Sequence, residues 1–404
     1  MHFGNLPDIP RLAMNMIYIL NATTLAGGGN KSFIRMLEAV RSRHNVMVIC
    51  PDSRDITPWL RSRGIPVKVF PYIFDIRPDH ATVTDIVMFI PRLIKRKLFN
   101  YVAAKRLCRI ARDFKADILH SNTSVTDIGF MAASRLGLPH VLHVREYGDK
   151  DFGMHIYGLG KRLLSPEAYS ICITRDISRH RGVDTHPRST VIYNAITDGA
   201  MRYTADKEPY FLYAGRIEEA KGLDDLIDAY THYVAATPAP MRLKLAGTWE
   251  TPRRTAYKHS LETAIERGGI AHLVDWLGER TDIHDLMYRA SAVIIPSRFE
   301  GFGRVMPEAL ANGCLTVVRD TGGLHEQLEN GLSITGGEIA LRFTSVAELA
   351  AHLTDITRKG PAAFTGMIRR GQDTVSQLYT AESSGDAVNR FYDRIMADRS
   401  KSST

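Results

Sequence analysis

Short apolar runs separated by stretches with helical spacing set the pattern of this chain. Residues 16–20, 46–50, 67–70, 117–120 and 140–144 have the length and composition of buried strands. Segments 31–43 and 125–136 place apolar residues at helical spacing between several of them. The theme returns in the second half, with strands expected near 210–214, 242–246, 273–277, 292–295 and 315–318. Such alternation predicts an α/β fold of parallel sheets with crossover helices. Between Asp198 and Pro209 polar residues and a proline interrupt the pattern, dividing the chain into domains 1–200 and 201–379. Beyond about Thr380 the spacing of Val388, Phe391, Tyr392 and Ile395 predicts a closing helix over 380–404.

The clearest chemistry lies in Arg298 to Leu310, Arg-Phe-Glu-Gly-Phe-Gly-Arg-Val-Met-Pro-Glu-Ala-Leu. A strand at 292–295 feeds a glycine loop and then a helix, which Pro307 would open at its first position. Backbone amides and the helix dipole there point at one place, an anion site. Gly301 and Gly303 leave room for a diphosphate against the main chain. Glu300 and Glu308 repel phosphate and suit hydroxyl-rich groups instead. A diphosphate flanked by two polyols is a nucleotide sugar. About eighty residues earlier, strand 210–214 runs into Gly215-Arg216-Ile-Glu-Glu-Ala-Lys221-Gly222. Arg216 and Lys221 thus sit at a strand's carboxyl end, where open α/β sheets bind ligands. Their charges can neutralise a leaving diphosphate without a metal, each charge-assisted hydrogen bond contributing about 1.5–3 kcal/mol. The competing reading makes both solvated loop cations.

The N-terminal loop Leu25-Ala-Gly27-Gly28-Gly29-Asn30-Lys31-Ser32 follows a strand and opens a helix. It is not a P-loop, because Asn30 and Leu25 stand where glycines are required, and Ser32 breaks the dinucleotide fingerprint. His143, Arg145 and Glu146 end another expected strand, where a histidine can meet a sugar hydroxyl or serve a structural role.

Gly-Arg-x4-Lys-Gly followed by Glu-Gly-Phe-Gly-x4-Glu resembles the motif pair of retaining glycosyltransferases of family four, which have the GT-B fold. Val191-Ile-Tyr-Asn194-Ala, Thr321-Gly322-Gly323-Leu-His-Glu326 and Gly27-Gly28-Gly29 resemble smaller segments of the same family, extending the likeness from about residue 15 to 395. The resemblance implies two Rossmann-like, doubly wound parallel-sheet domains facing a deep cleft. The first would take the acceptor and the second the nucleotide sugar, with the closing helix crossing back onto the first. It implies retaining transfer from a UDP- or GDP-sugar to a glycan or polyprenyl-diphosphate-linked acceptor in cell-surface polysaccharide biosynthesis, with no metal or other cofactor. The implied catalytic set is Arg216, Lys221, Glu300 and His143. Donor-binding residues would be Gly28, Gly29, Gly215, Gly301, Phe302, Gly303, Arg304, Val305 and Glu308, and the acceptor side would hold Asn122, Arg145 and Glu146. Arg304 replaces the family's usual aliphatic residue, a departure that bears on sugar choice. A nucleotide-sugar epimerase or phosphorylase on the same fold stays open, as does, more remotely, an NAD-binding oxidoreductase. A glycosidase carboxylate pair is disfavoured, since a plain glycoside gives arginine and lysine at a diphosphate site no purpose.

Composition narrows the surroundings. With 44% hydrophobic and 24% charged residues in 404, the chain is an ordinary two-domain globular protein. No apolar stretch reaches the roughly 18–20 residues of a membrane span, and the first residues show no secretory signal. Cys50, Cys108, Cys172 and Cys314 lack metal-ligand spacing and read as reduced thiols, and the fifteen histidines offer no paired ligand spacing. The expected location is the cytoplasm. Charge is uneven, +11 over residues 1–200 and −3 over the remainder. Segment 91–115 carries nine Lys or Arg and one acid, with Phe99, Ala103, Leu107, Ile110 and Phe114 as one stripe and Lys105, Arg106, Arg109 and Arg112 opposite. This reads either as a sheet-packing helix with a solvated basic back or as a surface drawn, salt-sensitively, to an anionic membrane, the inner face of the plasma membrane. Nucleic acid is not an expected partner, because no recognition motif accompanies the charge.

Overall fold

The computed structural model describes residues 13–21, 23–25, 27–78 and 88–402; residues 1–12, where a leader was sought, lie outside them. The strands in chain order are β1 (Asn15–Ile19), β2 (Asn45–Cys50), β3 (Val67–Val69), β4 (Ile76–Pro78), β5 (Ile118–Ser121), β6 (His140–Val144), β7 (Met154–Ile156), β8 (Ala168–Cys172) and β9 (Ser189–Val191). There follow β10 (Glu208–Ala214), β11 (Arg242–Ala246), β12 (Val274–Gly278), β13 (Ala290–Ile295), β14 (Thr316–Arg319) and β15 (Leu341–Phe343). One sheet runs β3-β2-β1-β5-β6-β8-β9 and the other β12-β11-β10-β13-β14-β15, every ladder parallel. Strands β4 and β7 form a small antiparallel pair. This is the doubly wound α/β architecture. The strand order reverses between β1 and β5 in the first sheet and between β10 and β13 in the second, and ligands bind beyond the carboxyl ends at such switch points.

Central parallel strands are covered on both faces, so they read as unbroken apolar runs. Every residue of β6 and β13 is buried, including His140 and His143 in β6. The expected strands correspond to observed ones within two residues. Strands β4, β7, β8, β9 and β15 were not expected: most span only three residues, and β8, Ala-Tyr-Ser-Ile-Cys, has too mixed a composition to announce itself.

Helix Ala381–Ser402 lies against helix Gly28–Arg41, and its Val388, Phe391, Tyr392 and Ile395 share a core with Met16, Tyr18 and Val48 of the first sheet. Another core runs continuously between the halves, joining Val144, Tyr147 and Ile177 to Val293, Phe302 and Leu324. Glu326 braces the junction. Its carboxylate accepts from the Arg175 and Asp176 amides, at 2.9 and 3.1 Å, and from the Tyr193 hydroxyl at 2.8 Å. A carboxylate from one half thus satisfies the orphan amides at a helix start in the other.

Candidate active site

On the second sheet, the loops after β10 and β13 emerge side by side at the switch point. Lys221 ends a short 3-10 turn (Glu219–Lys221) closed by Gly222, whose φ is +64°. A Cβ at Gly222 would come within 2.3 Å of the Pro296 carbonyl oxygen, so only glycine lets the two loops approach. The result is a direct ion pair: Lys221 Nζ lies 2.5 Å from Glu300 Oε1, and the Ser297 hydroxyl donates to the same oxygen at 3.0 Å. Both charged side chains are largely shielded from solvent.

Arg216 turns toward its own loop instead, 3.0 Å from Glu218, which Arg254 also holds. Beneath it the buried Tyr213 donates to the Arg216 carbonyl at 2.7 Å, after strand β10 has led into Gly215. Burial, reinforced by Glu300 and Glu218, keeps that phenol protonated well above the usual range.

The glycine loop rests on a second one. Gly323 N–H donates to the Glu300 carbonyl at 2.9 Å, and a Cβ there would come within 2.5 Å of Gly301 O. The Gly301 carbonyl also accepts from Thr174 of the first half at 3.0 Å. Phe302 turns inward, packing edge-on to Tyr379, and does not line a ligand surface with its ring. The following helix is Val305–Ala311, so Pro307 is its third residue and not, as expected, its first. Proline is tolerated throughout the first turn, since amides there lack helical partners, and the error came from treating its preferred position as the boundary. Glu308 therefore lies on the second half of that turn, where Arg304 reaches it at 2.8 Å.

Arg304 also crosses to the first half, donating to Ser32 Oγ and, at 3.4 Å, to the Ala195 carbonyl. Burial works against its charge and Glu308 supports it. Its chain lies on Gly28, where a Cβ would stand 2.9 Å from Arg304 Cδ. Gly28 and Gly29 are themselves the first residues of helix Gly28–Arg41, which starts three residues before its expected beginning. Gly29 borders Arg145, its notional Cβ 3.6 Å from Cδ.

At the first sheet's switch point, Asn122 follows β5 and Arg145 follows β6. Arg145 donates to Asn122 Oδ1 at 2.9 Å, to the Asn122 carbonyl at 2.9 Å and to Asn194 at 2.6 Å. It also approaches His143 Nδ1 at 3.3 Å. Because an arginine only donates, that nitrogen accepts and the neutral ring carries its proton on Nε2, which has no partner among the described residues. Behind it, His120 Nε2 lies 3.3 Å from His143 Nδ1, and His120 Nδ1 lies 2.6 Å from the Tyr392 hydroxyl, itself 2.8 Å from Tyr18. Burial, then the Arg145 charge, holds both histidines well below the usual range, so they stay neutral. Glu146 accepts from Ser124 Oγ at 2.7 Å, and its charge supports that of buried Arg145.

The site residues therefore form two groups. Gly28 lies against Arg304, which pairs with Glu308 at the seam, and Arg145 gathers Gly29, Asn122 and His143, while Lys221 pairs with Glu300 on the second sheet. No direct bond joins Arg216 to Lys221 among the described contacts. Four residues escaped sequence reasoning: Ser297, Ser32, Asn194 and Glu218 each hold a charged partner. The Arg304–Glu308 pair was not foreseen either, although its spacing of four from a helix cap was a signal that could have revealed it. Among the described residues no cluster of His, Cys, Asp or Glu could hold a metal, and no helix is long and apolar enough to cross a membrane. All four cysteines are buried and unbridged.

Comparison with known proteins follows the same division. Residues 202–363 match the sequence profile of Glycosyl transferases group 1, and residues 26–199 match that of Glycosyltransferase Family 4. The lipopolysaccharide core biosynthesis mannosyltransferase LpsB of Rhizobium meliloti is 28% identical over 45% of this chain and 50% of its own length. A glycogen synthase of Mycobacterium tuberculosis is 32% identical over 50% of this chain and 48% of its own. The chain thus spans about half the length of these two relatives. Among solved structures, Anabaena HepE in complex with UDP superposes with a TM-score of 0.75 at 20% identity, covering 94% of this chain and all of that one. HepE has also been solved with UDP-glucose, with a TM-score of 0.72 at 19% identity over 94% of this chain and 100% of that one. With a different profile matched by each half and the motif loops standing at the switch points of both sheets, the chain belongs to the group 1 glycosyltransferases of family four.

Proposed function

We propose that the protein transfers a sugar, with retention of anomeric configuration, from a nucleoside-diphosphate sugar to a glycan or lipid-linked acceptor of cell-surface polysaccharide synthesis. The observation that carries this reading is the Lys221–Glu300 pair at the second switch point. A diphosphate offers Lys221 more negative charge than one carboxylate, so donor binding exchanges the pair. Lys221 moves to the phosphates, and Glu300, still oriented by Ser297, is released to accept from the hydroxyls of the sugar. Arg216 leaves Glu218 for the same phosphates. Such preorganised donors are worth roughly 3–4 kcal/mol each in acyl and phosphoryl transfer, and the two cations supply the charge that a metal would otherwise bring.

Glu308 meets the ribose hydroxyls, and His143, neutral with its proton on Nε2, donates to a hydroxyl of the transferring sugar. The departing phosphate oxygen takes the acceptor's proton, which keeps both reactants on one face and needs no covalent enzyme intermediate. HepE, a structural neighbour, was solved with UDP and with UDP-glucose, which supports a donor of this class.

The test is a panel of UDP- and GDP-sugars and NAD, read by thermal unfolding with and without EDTA. A true donor at a hundred times its Kd stabilises by about 2.7 kcal/mol. One or more sugar nucleotides should raise Tm equally in EDTA. Stabilisation by NAD alone would overturn the reading.

A further inference from the structure

The helix Phe89–Asp113 packs on the first sheet through its second half, with Ala103, Leu107, Cys108 and Ala111 in the core, but turns the apolar residues of its first half outward. Ile90, Ile94, Leu98 and Val102 are 64, 56, 66 and 65% exposed and recur every fourth residue, forming one ridge along the outer face. Of the expected stripe, Ala103 and Leu107 are buried and Ile110 and Phe114 pack against the same core, joined by Asn100, Ala104, Cys108 and Ala111, but Phe99 is 40% exposed. Of the eleven large apolar side chains exposed among the described residues, seven lie between Met88 and Val102. Lys95 and Lys97 flank the ridge, and Lys105, Arg109 and Arg112 continue the outer face beyond Val102, all exposed; the helix contains one acid, Asp113.

We propose that this helix is a monotopic membrane anchor: it lies in the plane of an anionic leaflet with the aliphatic ridge among the acyl chains and the cations at the lipid phosphates. A ridge one residue wide gives a second copy far less than the roughly 800 Å² per partner of a stable interface, and two such cationic faces repel each other. A negatively charged bilayer meets both features at once. The anchor is tied to the acceptor side. Asn100 bonds the Ile73 backbone, at 2.9 Å to N and 2.8 Å to O, and Asp127 at 2.8 Å, while Arg96 pairs with buried Asp75 at 3.0 Å. The Ser124–Asp127 loop beside Glu146 is thereby fixed to the helix, so docking brings that side of the seam to the headgroups. The proposal goes beyond the transfer reaction and does not depend on the sugar moved.

Sedimentation with vesicles of phosphatidylcholine alone or mixed with phosphatidylglycerol tests it. The full chain should pellet with the anionic vesicles and bind neutral ones at least about tenfold more weakly. Part of the binding should persist in 1 M salt, where the Debye length is about 3 Å. Ile94→Ser with Leu98→Ser should lower binding to anionic vesicles about tenfold or more, and Lys95→Gln with Lys97→Gln should lower it mainly at low salt. Both sites are exposed, so unchanged thermal unfolding and donor-induced stabilisation confirm intact protein and keep this outcome separate from the donor reading. Wild-type protein left in the supernatant, a serine variant that binds as well as wild type, or a soluble dimer that the serine variant dissociates would each overturn the proposal.

Discussion

The two switch points are equipped in opposite ways. The second sheet presents charges already paired with each other, Lys221 with Glu300 and Arg216 with Glu218, in loops kept close by glycine. The first sheet presents a buried relay of neutral groups, Tyr18, Tyr392, His120 and His143, ended by a single cation, Arg145. Paired charges are exchangeable, because an incoming ion of the right sign replaces one partner at little cost. A neutral buried relay is not, since breaking any link leaves an unsatisfied polar group worth about 1–3 kcal/mol. Under the proposed function, one side would trade partners with a charged ligand, while the other holds a fixed shape and proton position.

Three measurements put that contrast to the test. The largest effect should come from the exchangeable side: Lys221→Ala or Arg216→Ala lowers kcat by about 10²-fold or more, as loss of a transition-state donor does. Turnover near wild type in steady-state assays would remove both from the catalytic set. Next, Glu308→Gln should raise KM for the donor about tenfold, roughly 1.4 kcal/mol, with kcat little changed. A fall in kcat at unchanged KM would instead place Glu308 in the chemistry.

The smallest effect concerns the fixed side. Burial depresses the folded pKa of His120 and His143, and of His140 to about 3, below the unfolded value of 6.5. The unfolded chain therefore binds protons first, so the histidine contribution to stability is present above pH 6.5 and is lost as pH falls below it. Each histidine contributes at most about 1.4 kcal/mol per pH unit in that window. Denaturant unfolding of His143→Gln should show a slope shallower by one proton; an unchanged slope would mean that the ring is not held neutral.

Most of the fold was legible because buried parallel strands are uninterrupted apolar runs, as in β6 and β13. The glycine loops after β10 and β13 were legible because glycine, proline and charge occur there in a chemically restrictive order. What stayed hidden was long-range. Nothing near Glu326 says that its carboxylate will cap a helix about 150 residues away, and nothing near Ser32 says that it will meet Arg304. The packed stripe of helix Phe89–Asp113 was read correctly from Ala103 to Phe114, but Phe99 was misplaced and the outward ridge of the first half went unread, because apolar residues there occur on more than one face. Small residues settle the packing: Ala103, Ala104 and Ala111 let the second half lie close to its neighbours around Leu107, while Ile90, Ile94, Leu98 and Val102 stay outside.

The closing helix has a consequence for the order of synthesis. Tyr392 supplies the hydroxyl that His120 and Tyr18 require, and Phe391 and Ile395 fill the core beneath β1 and β2. These residues leave the ribosome after both sheets. The half translated first is thus the last to be completed, and nascent chains must wait with that core unsealed until translation has passed Ile395.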